Sequence, residues 1–160
     1  MRVRHLIGEA KLVETDSRWR TADLPPRYVP IYERPRPIRA GWQWRSTRAK
    51  SADGSRDYVM TALCHPARGN WQAMLILAET DGRASLVARF EYHGNHPGTH
   101  AHADCGRSVI ETGSSSMDGL AWFPRAGRTH QRIASWTEET FWTAARNFLR
   151  IVDRKGMPRR

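Results

Sequence analysis

The sequence predicts an α+β domain: an antiparallel β-meander with an amphipathic C-terminal helix packed on one face and a Pro-rich N-terminal arm. Three observations carry this. Between Arg56 and Cys105, apolar residues recur at every second position in runs separated by turn signals, as strands with one buried face require. After Ser135 the period lengthens to helical spacing. Ahead of Trp42, the stretch D-L-P-P-R-Y-V-P-I-Y-E-R-P-R-P-I-R holds five prolines, which forbid a helix or a central strand.

Residues 1 to 40 therefore read as a basic extended arm, residues 41 to 153 as a single domain and residues 154 to 160 as a basic tail. Tyr28, Val29, Ile31 and Tyr32 give the arm something to bury, so it is expected to lie across the domain. Trp42 and Trp44 alternate with polar residues and mark a first strand, closed by the turn S-A-D-G-S. R-D-Y-V-M-T-A-L-C-H follows, then P-A-R-G as a four-residue turn, then N-W-Q-A-M-L-I-L-A-E-T. Asp81-Gly82 is a two-residue hairpin signal. Pairing Thr80 with Arg83 sets Leu77, Leu75, Ala73 and Trp71 against Leu86, Ala88, Phe90 and Tyr92. Tyr58, Met60, Ala62 and Cys64 join the same face. The opposite face is mixed, with Val59, Thr61, Leu63, Met74 and Ile76 toward the earlier strands and ionisable groups toward the later ones. The arm and the two tryptophans, a protein partner or a second copy of the chain would cover its apolar half.

Near the end, Phe141, Ala145, Phe148 and Val152, flanked by Trp142 and Leu149, form a helical stripe ending near Asp153. Ser135 and Glu138 have capping-box spacing. The stripe needs a partner, and the Ala-rich sheet face can accept its large rings.

The chemistry concentrates in F-E-Y-H-G-N-H-P-G-T-H-A-H-A-D-C-G, residues 90 to 106, which contains four of the seven histidines. His100, His102 and Asp104 alternate with Ala101, Ala103 and Cys105, so the polar groups share one strand face. With 94 to 99 as the connecting loop, the expected register sets His93 opposite His100, Glu91 opposite His102 and Arg89 opposite Asp104. Imidazole exchanges protons near neutral pH, so two histidines flanking a phosphodiester, with Arg89 or Arg107 near the developing charge, would suffice for metal-free RNA cleavage. The candidate catalytic residues are His93, His96, His100, His102, Glu91 and Arg89. The same groups can act as ligands. His100 and His102, with Asp104, Glu91 or His93 completing the set, would hold a divalent ion such as zinc or manganese. The bland reading is that the histidines decorate a sheet edge. A further histidine, His130, falls in the polar stretch 106 to 134.

Composition points to a polyanionic partner, nucleic acid first. The net charge is +10, and Lys plus Arg exceed Asp plus Glu by 12 to 5 in residues 1 to 50 and by 9 to 3 in residues 121 to 160, against 5 to 8 between them. Cys64 and Cys105 fit free thiols, and the absence of a long apolar run leads to an expectation of a cytoplasmic protein without membrane association.

The strand ending R-F-E-Y-H, the Pro-containing turn, H-x-H and the closing amphipathic helix resemble small bacterial toxins of the TumE type. The likeness covers Leu86 to Cys105 and the last helix. It implies that His96, His100 and His102 match the family's histidine cluster, and it implies a growth-arresting or phage-defence role. Together these readings lead to the expectation of a nucleic-acid-directed hydrolase, RNase-like and metal-assisted or metal-free. The rivals are a non-enzymatic nucleic-acid-binding module and a protein-interaction subunit of a bacterial complex.

Overall fold

The computed structural model describes residues 3 to 80, 82 to 93, 99 to 103, 120 to 122 and 135 to 154. The chain is α+β. Its strands are β1 (Lys11–Asp16), β2 (Gln43–Ser51), β3 (Asp57–His65), β4 (Asn70–Ala78), β5 (Ala84–Tyr92), β6 (His100–His102), β7 (Leu120–Trp122) and β8 (Ile151–Val152), with helices α1 (Val3–Gly8) and α2 (Glu138–Phe148). Among the described residues one sheet of eight strands runs in the order β7-β6-β5-β4-β3-β2-β1-β8. Neighbours from β1 to β7 are antiparallel, whereas β8 lies parallel to β1, so the expected meander gains a parallel edge strand.

Alternation builds the helix-side core. Tyr58, Met60, Ala62, Cys64, Trp71, Ala73, Leu75, Ala88 and Phe90 lie on one face and pack with Phe141, Trp142, Ala145 and Leu149 of the α2 region. The alanines are the reason the large rings fit: small residues on the sheet leave space for Phe141, which sits 5.5 Å from the Trp71 ring and 5.6 Å from that of Phe90. Arg45 fastens the start of α2 from outside, bonding Glu139 at 3.0 Å and lying over the Trp142 ring at 4.3 Å.

Several expectations shift by a few residues. Residues 3 to 16, expected within the arm, form α1 and β1. At six residues α1 is too short to persist alone, and burial of Val3 and Leu6, worth about 2 kcal/mol each, holds it in place. The cap of α2 is Thr137 with Thr140, not Ser135 with Glu138. The helix ends at Phe148, where Arg150 turns left-handed at φ 57° and releases Ile151 and Val152 into β8. Val152 is therefore exposed instead of completing the helical stripe.

The β4–β5 turn also differs. Glu79, not Thr80, pairs with Arg83, and Gly82 at φ 84° accepts the left-handed position that a side chain would disfavour. The extra residue is absorbed by a bulge: Leu75 pairs with Ala88 but Ile76 pairs with Leu86. Val87 consequently enters the helix-side core and Leu86 crosses to the other face.

That second face holds Trp44, Val59, Met74, Ile76, Ala84 and Leu86, covered by Leu24 and Val29 from the Pro-rich segment. The segment is tied down by backbone bonds between Arg20 and Trp44, by the Trp44 indole donating to the Ala22 carbonyl at 2.7 Å, and by the Thr61 hydroxyl donating to the Tyr28 carbonyl.

Candidate functional site

Three cross-strand pairs position the polar patch. Gln72 of β4 faces Glu91 of β5, Glu91 faces His100 of β6, and Arg89 faces His102 one step along. The register differs by two residues from the expected one, in which Glu91 faced His102 and Arg89 faced Asp104. A two-residue slip preserves the face, so the same groups meet with different partners. Phe90 and Ala101 pair between them and are both buried, Phe90 within the helix-side core.

Glu91 is the centre. Its Oε1 lies 2.7 Å from His102 Nε2, 3.5 Å from His100 Nε2 and 4.0 Å from an Arg89 guanidinium nitrogen. The Gln72 amide donates to Oε2 at 3.1 Å. The His93 ring stands edge-on to His100 at 5.0 Å, and the His100 and His102 rings are 5.3 Å apart. Donor atoms of Glu91, His100 and His102 all lie within 4.8 Å of one another, within reach of a single ion.

Burial divides the roles. His100 is 1% exposed and Glu91 7%, whereas the His102 and Arg89 side chains keep 23% and 31%. Burial holds the His102 pKa below the ordinary imidazole range and Arg89 adds to the lowering, while Glu91 pulls the other way without winning. The lowering favours the neutral imidazole. Arg89 Nε is buried and has no hydrogen-bond partner among the described residues.

Of the residues singled out from sequence, Arg89, Glu91, His93, His100 and His102 come together, while His96, Asp104, Arg107 and His130 lie outside the described residues. Gln72 was not anticipated, although the Thr80–Arg83 alignment already sets it opposite Glu91. Cys64 offers no rival chemistry, since burial pushes its thiol up to about 12. A cleft of about 780 Å³ beside α2, lined by Phe90, Trp136, Ala144 and Phe148, opens on the other face of β5, with no histidine among the described residues that line it.

No protein-family model, curated protein or solved structure matches this chain. Among the described residues no helix is long and apolar enough to cross a membrane.

Proposed function

We propose that the protein is a nucleic-acid-directed hydrolase, RNase-like, acting at the β5–β6 patch in a toxin or phage-defence setting. The observation that supports it best is the convergence of His100 and His102 on one Glu91 oxygen, with the half-exposed Arg89 alongside. His102 and Arg89 form the accessible side of the patch. A phosphodiester placed there would meet an imidazole that accepts the proton of the attacking oxygen and a guanidinium that offsets the negative charge developing on the non-bridging phosphoryl oxygens. His100 is too deeply buried to flank the substrate, which argues against two histidines straddling one phosphate and for His100 acting through Glu91 or an ion.

The net charge of +10 supports a polyanionic substrate, and the resemblance to TumE-type toxins supports the biological setting. The test is cleavage of labelled single-stranded RNA by the purified chain, with His102→Ala as the control. Wild type should cleave, and the variant should bind with nearly unchanged affinity but turn over at least about a hundredfold more slowly. Equal cleavage by both would refute the reading. Binding by both without cleavage would leave a nucleic-acid-binding module in its place.

A further inference from the structure

We propose that Glu91, His100 and His102 form a binding site for one divalent transition-metal ion, with Gln72 fixing the carboxylate and solvent completing the coordination on the Arg89 side. This does not rest on the hydrolase reading. Of the completing ligands open to the sequence reading, Glu91 is the one whose oxygen lies beside both imidazoles, while Asp104 falls outside the described residues.

Four features of the geometry point to it. First, the donors converge on a point. Ligands 2.0–2.2 Å from a tetrahedral ion lie about 3.4 Å from one another. The Glu91–His100 separation of 3.5 Å already matches, and His102, at 2.7 Å from the same oxygen, need open by less than about 1 Å. His102 is the ligand with room to do so, being the most exposed of the three. Second, the carboxylate is oriented in advance. Gln72 occupies Oε2, leaving Oε1 directed at the two imidazoles as a single-oxygen ligand.

Third, the charge is under-compensated. Glu91 is 7% exposed, and its only cationic neighbour among the described residues besides the histidines is Arg89 at 4.0 Å, beyond hydrogen-bond length. A bound cation would supply the missing compensation. Fourth, all three ligands are carried on paired strands flanked by the buried Phe90 and Ala101, so the site is preorganised on a rigid element.

The donor chemistry selects the metal class. Two imidazoles and one carboxylate suit zinc and its first-row neighbours, whereas magnesium and calcium prefer all-oxygen shells. An ion there would act as a Lewis acid and lower the pKa of a coordinated water.

The experiment uses the full chain, stripped with chelator and titrated calorimetrically with zinc chloride alone, with cobalt absorption as a second readout. Wild type should take up one equivalent with micromolar or tighter affinity. H102A and E91Q should each weaken binding by at least about a hundredfold and remove the cobalt d–d bands. H102A keeps the test sound even where E91Q perturbs folding, because His102 is partly exposed; circular dichroism reports on both. No zinc uptake by wild type, or wild-type uptake by both variants, overturns the site. Zinc binding without RNA cleavage leaves the site standing and removes only the hydrolase reading, while chelator-resistant cleavage with no zinc uptake does the reverse.

Discussion

Gln72 and Glu91 face each other across β4 and β5, and the Gln72 amide donates to Glu91 Oε2 at 3.1 Å. The contact orders the carboxylate. Gln72→Leu keeps the volume close and removes the donor, so it should lower RNA turnover by about tenfold through a misoriented Glu91. Thermal unfolding should shift little. A turnover equal to that of wild type in a steady-state cleavage assay would show that Glu91 needs no such support.

Electrostatics at the ends of the chain should govern nucleic-acid affinity. Residues 155 to 160 carry three basic side chains and no acidic one. Deleting them should weaken binding to single-stranded RNA and flatten the dependence of log K on log salt by up to about 2. Fluorescence anisotropy at graded salt measures both. An unchanged slope would place the phosphate contacts elsewhere.

Acid stability should depend on Glu9. Burial raises its pKa, but hydrogen bonds from Arg56 and Tyr58 and the attraction of Arg56 and Lys11 outweigh that, so it sits below the ordinary carboxylate range. Arg56 grips it with two bonds, at 3.0 and 2.6 Å. A depressed folded pKa contributes stability that is present above the unfolded value of about 4.3 and lost as pH falls through the folded value. Glu9→Gln should therefore cost about 2 kcal/mol at pH 7 and markedly less near pH 3. Urea titrations at the two pH values test the difference, and an equal cost at both would contradict it.

Lys11 is wholly buried, and its ammonium donates to the carbonyls of Ile7, Glu9 and Leu149 at 3.1, 2.9 and 2.9 Å. It thereby ties the ends of both helices to β1, where carbonyls left over from the helices need donors. Lys11→Met leaves those acceptors unpaired and should destabilise by about 3 kcal/mol. Denaturant midpoints would reveal it, and a change below about 1 kcal/mol would mean that water serves the carbonyls equally well.

Gly41 adopts φ 80°, and a Cβ there would stand 2.4 Å from His65 Nε2. Gly41→Ala should cost about 1–3 kcal/mol, read as a lowered melting temperature. Removing the ring with His65→Ala should restore only part of the loss, because the backbone angle remains unfavourable. Full restoration would assign the whole cost to the clash.

Alternation made much of the sheet legible from the residues alone: which residues of β3, of β4 and of β5 from Ala88 onward share a face follows from a period of two, and Phe90 had to oppose Glu91 whatever the register. The change of period at α2 was equally local. Parity does not say how many residues a connection consumes, and there the tertiary structure decided. A slip of two between β5 and β6 brought Glu91 to His100, and one extra residue at the Gly82 turn, absorbed at Val87, exchanged Leu86 for Val87 in the core. The short elements at the two ends of the fold were also out of reach. Val3–Gly8 and Ile151–Val152 have too few residues to display a period, and they hold their shape only because Val3, Leu6 and Ile151 find a cavity that distant strands provide. The histidine pair was written in the sequence, whereas its carboxylate was chosen by the packing of two strands against a shared core.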